Sequence, residues 1–112
     1  MRLRAKLWME VADGHVFGRG RAELLRAIER QGSISAAAAR MGMSYRRAWS
    51  MLRTSEQRLG RSLVETTRGG ARGGGARLTQ EARELLEAFE RIESRLEQLI
   101  EEQQDELDRL GV

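Results

Sequence analysis

Between Gly75 and Gly111 the sequence holds no glycine, and the whole chain holds no proline. Thr79 followed by Gln80, Glu81 and Ala82 has the make-up of a helix start, with a capping hydroxyl and an acid in the first turn. From there nothing interrupts a helix before Gly111, and about 31 residues at 1.5 Å per residue reach roughly 46 Å. A chain of 112 residues suits one domain, and such a helix is too long to bury against it. Its apolar residues Ala82, Leu85, Phe89, Ile92, Leu96 and Leu99 alternate steps of three and four, the spacing of a coiled-coil seam. Leu85, Phe89, Ile92, Leu96 and Leu99 are therefore expected to pair with a second copy. Leu86, Ile100, Leu107 and Leu110 lie off or beyond that register, and Gln103 takes the slot after Leu99. The other reading is a helix folded back on its own domain.

Charge divides the chain at the same point. Residues 1–79 carry 16 Lys and Arg against 6 Asp and Glu, a balance of +10, while residues 80–112 carry 4 against 11, a balance of −7. A compact basic body suits a polyanion, because each neutralised phosphate releases counterions. The acidic helix would be repelled by the same polyanion and should project away from it.

Ahead of that helix the pattern is mainly α with small β. Odd positions from Leu3 to Val11 are apolar and the even ones are Arg, Arg, Lys, Trp and Glu from Arg2 to Glu10, which is the period of a half-buried strand. Asp13-Gly14 is a turn, and His15-Val16-Phe17 returns as a second strand, giving an N-terminal hairpin over residues 2–18. Arg21 to Gln31 places Leu24, Leu25 and Ile28 at helical spacing before Gly32 stops it. Ser33, Ile34 and Ser35 then introduce four alanines, a short helix of about two turns closed by Gly42. Ser44 caps a longer helix from Tyr45 to Leu59 that ends at Gly60. A short helix, a glycine-containing turn and a longer helix form the helix-turn-helix outline. Residues 62–78 read as two short strands around a Gly/Arg tip, a wing. The expected fold is a winged helix-turn-helix domain over residues 1–79 with an N-terminal β-hairpin, followed by a long dimerisation helix over residues 80–112.

The candidate interface follows from helical geometry. On the third helix Ala48, Met51, Leu52, Ser55 and Leu59 share one face and suit packing, whereas Tyr45, Arg46, Trp49, Ser50 and Arg53 share the other. Arginine can donate two hydrogen bonds to a guanine edge, and hydroxyls serve phosphate or base. Trp49 sits beside the packing stripe and could equally fill a gap between elements. In the wing, Arg68, Gly69, Arg72, Gly73 and Arg77 combine cations with backbone able to come close to a phosphate or a minor groove. A nucleotide loop fits poorly, because Arg77-Leu78-Thr79 stands where a Walker loop needs Gly-Lys-Ser/Thr. The expected DNA contacts are thus Ser33, Ser35, Ser44, Tyr45, Arg46, Arg47, Trp49, Ser50 and Arg53 with the five wing residues.

Catalysis is not indicated. His15 is the only histidine, cysteine is absent, and the acids crowd onto the last helix without converging on a base or nucleophile. No metal-ligand cluster is visible. With no apolar run of signal-peptide or membrane-span length, the expected location is the cytoplasm.

Three ordered segments resemble one family. Gly32-Ser33-Ile34-Ser35, Gly42 to Trp49, and Val64 to Thr79 are similar to the N-terminal DNA-binding domain of the molybdate-responsive ModE regulators, with a weaker likeness to LysR-type regulators. The likeness runs from about Lys6 to Leu86. It implies a winged-helix homodimer paired through helices, bound to pseudo-palindromic double-stranded DNA operators upstream of molybdate-uptake or molybdoenzyme genes. In that family molybdate binds to C-terminal β-barrel modules, and no β-rich stretch here supplies one. No cofactor is therefore expected of this chain, and a separate sensor protein is an expected partner. Two further readings use the same residues: an architectural DNA binder with little sequence preference, and a molybdate-binding or protein-interaction module centred on the acidic helix.

Overall fold

The computed structural model describes residues 1–67 and 74–111. A hairpin comes first, β1 (Trp8–Val11) paired antiparallel with β2 (Gly14–Gly18). Three helices follow: α1 (Arg19–Gln31), α2 (Ile34–Arg40) and α3 (Tyr45–Leu59). A second antiparallel pair, β3 (Val64–Thr67) and β4 (Gly75–Leu78), leads into α4 (Gln80–Arg109). The chain folds as a winged helix-turn-helix with a long helix attached, as the residue pattern predicts.

The stops and caps work as their chemistry requires. Gly32 and Gly60 close α1 and α3 in the left-handed conformation, at φ 78° and 67°, which costs glycine little and other residues more. Ser33, Ser44 and Thr79 each accept a hydrogen bond from the backbone N–H three residues on, at Ala36, Arg47 and Ala82. Each cap satisfies one of the N–H groups that a helix start leaves without a partner.

One apolar core joins all of these elements. Val16 and Phe17 of the hairpin meet Leu24, Leu25 and Ile28 of α1, Ala37 and Ala38 of α2, and Ala48 and Leu52 of α3. Leu63 and Leu78 close the base of the wing, and Ala82, Leu86 and Phe89 complete the core from α4. Phe89 is fully buried and meets the ring of Phe17 edge-on, with centroids 5.2 Å apart.

That contact corrects the expected seam. Phe89 faces into the core of its own chain, and so does Leu86, which the heptad reading left off register. Leu85 packs half-buried at the edge of the same core. The first half of α4 thus folds back on the domain, tied further by ion pairs from Arg19 to Glu93 and Glu97 and from Arg26 to Glu90. Beyond it Ile92 and Leu99 stand 43% and 50% exposed, with Leu96 half-buried. Only the Ile92–Leu96–Leu99 part of the expected seam remains open to a second copy.

A second correction concerns the N-terminus. The strand expected from residue 2 begins only at Trp8, and residues 1–7 run beside α4 instead. The Leu3 N–H donates to Oε1 of Gln104 at 2.8 Å, and Nε2 of Gln104 donates to the Met1 carbonyl at 2.9 Å. Leu3 and Leu7 are half-buried, while Arg2, Arg4 and Lys6 are exposed. The alternation is real, but its apolar side meets a helix, and period two does not reveal what a strand-like segment packs against.

The hairpin is held from behind by α1 and α3. Ser55 donates to the Val16 carbonyl, Arg58 donates to the His15 carbonyl, and Arg21 donates to Nδ1 of His15 at 3.1 Å. That last bond requires a neutral ring nitrogen. Burial, then the charges of Arg21, Arg58 and Lys6, push the His15 pKa below its ordinary value. The folded protein therefore binds this proton less readily than the unfolded chain does. Stability should be fully present above about pH 6.5, the unperturbed imidazole value, and fall as pH drops through the lowered pKa. Thermal melts from about pH 7.5 to 5.5 check this, with His15→Gln flattening the slope. Phe89→Ala should cost about 3–5 kcal/mol in urea unfolding.

Candidate nucleic-acid interface

The two faces of α3 separate as its spacing predicts. Ala48, Leu52 and Ser55 are buried, with Met51 and Leu59 packed half-buried at the margin. Tyr45, Arg46, Arg47, Trp49, Ser50 and Arg53 are all exposed. Trp49 is no gap-filler: it stands 47% exposed, beside Tyr45 at 53%. Two aromatic rings thus stand in water on one face of α3. The Arg53 guanidinium lies 5.3 Å from the centre of the Trp49 ring and 3.7 Å from Glu56.

Glu56 does more than pair with Arg53. Its Oε2 accepts from the Leu63 N–H at 2.7 Å and from the Ser62 hydroxyl at 3.3 Å. A carboxylate at the end of α3 thus fastens the base of the wing, which sequence spacing gave no way to foresee. On the other strand the Ala76 N–H donates to the Gly32 carbonyl at 2.8 Å, and Thr79 donates to the carbonyls of Leu63 and Ser62. At Gly75 an added Cβ would come within 3.4 Å of the Gly32 carbonyl oxygen and 3.1 Å of the Thr67 hydroxyl. The absent side chain lets the wing lie close on the α1–α2 corner.

The result is one groove between the helix-turn-helix and the wing. Ser33 and Ser35 of the α2 start, Tyr45 and Trp49 of α3, and Thr66, Thr67 and Ala76 of the wing all line it. Ser33, Ser35, Tyr45 and Trp49 were expected contacts; Thr66 and Thr67 were not, although paired hydroxyls near a wing tip were a signal available in the sequence. Ser33 and Ser44 spend an acceptor on capping, which leaves their O–H groups able to donate to phosphate oxygens. Arg77 is 78% exposed at its side chain and pairs across the strands with Glu65 at 3.2 Å. An exposed pair of this kind contributes little, about 0–1 kcal/mol, and can be exchanged for a phosphate. Arg68, Gly69, Arg72 and Gly73 lie outside the described residues. Among the described residues no group of three or more His, Cys, Asp or Glu could hold a metal ion, and no helix is long and apolar enough to cross a membrane.

The chain is similar to known proteins in sequence and in fold. Residues 20–83 match the bacterial regulatory helix-turn-helix protein family of lysR type. The molybdenum transport protein ModE of Herbaspirillum seropedicae is 39% identical over 87 residues, covering 78% of this chain and 32% of that protein. The transcriptional regulator ModE of Haemophilus influenzae is 37% identical over 86 residues, covering 77% and 34%. The chain spans about a third of the length of these curated relatives. Among solved structures, a CbnR DBD–DNA complex contains a chain similar at a TM-score of 0.61 and 23% identity, over 79% of this chain and 95% of that one. At that identity the likeness bears on fold alone, and the fold is the winged helix-turn-helix described above.

Replacing Glu56 by Ala strips an acceptor from the wing base and should lower stability by about 1–3 kcal/mol in urea unfolding. The same substitution should raise hydrogen exchange at the Leu63 amide before that of the α1 core.

Proposed function

Because the chain belongs to the LysR-type bacterial regulatory helix-turn-helix family, we propose that it is a transcription regulator that binds double-stranded DNA in a sequence-specific way. One observation carries this reading: Tyr45, Arg46, Trp49, Ser50 and Arg53 are exposed together on α3, beside a wing held in fixed relation to them by Glu56 and Gly32. On this reading α3 enters a major groove with Arg46, Trp49 and Ser50 toward the base edges. Ser33, Ser35, Ser44 and Arg47 take the flanking phosphates, and Arg77 with the wing tip follows the adjacent backbone or minor groove.

The working form proposed is a homodimer in the cytoplasm, closed through Ile92, Leu96 and Leu99. A two-fold dimer would set two α3 helices about 34–36 Å apart on a pseudo-palindromic operator. The names of the ModE relatives support target genes connected with molybdenum. On this reading the chain holds no cofactor and performs no catalytic step, and response to molybdate falls to a separate sensing protein.

Selection of bound sequences from a random duplex pool, followed by competition binding, tests the reading. A regulator should prefer its selected site to random duplex by about 10³ or more; a ratio near unity would make the protein an architectural DNA binder. Affinity should fall by roughly 10³ to 10⁵ between about 50 and 200 mM salt if 6 to 10 phosphates are neutralised. Arg46→Ala should cost about 1–3 kcal/mol on the selected site and relax its sequence preference. Equal weakening on random DNA would reassign Arg46 to phosphate.

A further inference from the structure

Two helices that each belong to a segment of charge −7 repel one another when brought side by side. The repulsion is worst at the distal end, where Glu101, Glu102, Asp105, Glu106 and Asp108 face a single cation, Arg109. Burying Ile92 and Leu99 against a second copy therefore needs a source of positive charge close to α4.

The N-terminal strap is placed to be that source. Gln104 clamps it by its backbone, through the Leu3 N–H and the Met1 carbonyl, so its position does not depend on its charged side chains. Gln104 is only 9% exposed on a stretch of α4 whose other residues are mostly in water, because the strap covers it. Arg2, Arg4 and Lys6 remain exposed and form no ion pair among the described residues, although the strap runs along an acidic helix. Between strap and helix lies an open groove of about 560 Å³ with an apolar floor of Leu7, Leu96 and Ile100 and a charged rim of Lys6 and Arg19 facing Glu93, Glu97 and Glu101. Leu96 also borders the exposed Ile92 and Leu99, so the groove and the open apolar face are continuous.

We propose that this groove and face receive the α4 helix of a second copy, and that Arg2, Arg4 and Lys6 of each strap pair with acidic side chains on the partner's α4. The strap is then an intermolecular electrostatic clamp that lets two acidic helices close on each other. The inference rests on the homodimer proposed above and specifies how that dimer is made possible. The exposed strap cations and the apolar floor select the occupant: Arg19 already pairs with Glu93 and Glu97 of the rim, while Arg2, Arg4 and Lys6 form no ion pair among the described residues and suit an acidic amphipathic helix, which this chain supplies.

Sedimentation equilibrium on the full chain tests it. The variant R2E/R4E/K6E keeps Leu3, Leu7 and the Gln104 bonds, and its melting temperature reports whether the fold is intact. Its dimer dissociation constant at about 50 mM salt should exceed that of the unaltered chain at least tenfold, and the gap should shrink to about twofold at 500 mM, where screening is short-ranged. Mixing it with E101K/E102K/D105K should restore a dimer, seen as the heterodimer mass in native mass spectrometry. An R2E/R4E/K6E protein that dimerises as tightly as the unaltered chain at low salt overturns the clamp. So does one that keeps its dimer and loses DNA affinity, which would assign the strap cations to phosphate. If the unaltered chain itself stays monomeric, the dimer reading fails, and the clamp with it.

Discussion

The edge-on contact between Phe17 and Phe89 determines how the rest of the molecule is arranged. An aromatic pair of this kind contributes about 0.5–1.5 kcal/mol beyond the area it buries, but its larger effect is on geometry. It joins the hairpin to α4 across α1, so the long helix leaves the body in a set direction. The ion pairs of Arg19 and Arg26 with glutamates of α4 lie on the next turns and follow from that docking. Without it, the seam residues of α4 would compete as one continuous apolar stripe.

Much of the fold was legible in the sequence because it is written in local chemistry. Gly32 and Gly60 end helices where only glycine takes the backbone easily, and Ser33, Ser44 and Thr79 start them. These signals act within three or four residues and need no knowledge of the tertiary structure. Phe89 shows where that ends. Steps of three and four state that a helix has an apolar side, but not whether its own domain or another copy covers that side. Residues 1–7 misled for a related reason: an extended segment alternates whether its neighbour is a strand or, as here, the flank of α4.

The candidate interface divides along the same line. The exposed face of α3 could be read from helical periodicity, and the structure presents Tyr45, Arg46, Trp49, Ser50 and Arg53 together. Its relation to the wing could not be read, because it depends on Glu56 reaching Leu63 and on Ala76 reaching Gly32. Both are contacts between a side chain or amide and a carbonyl or carboxylate brought near only by folding. Arg77 was found as a surface cation, but its pairing with Glu65 follows from strand register, with residue 65 opposite residue 77.

The clamp at Gln104 has a consequence for how the domain can be joined to anything else. Its bonds to Leu3 and Met1 bring the first residues of the chain alongside residue 104, at the distal end of a molecule about 61 Å long. Material attached at either terminus therefore emerges at one tip, and α4 acts as a strut separating it from α3 and the wing. Attachment there leaves the groove-facing surface unobstructed, and two such attachments on one chain would meet each other before either met the face that α3 presents.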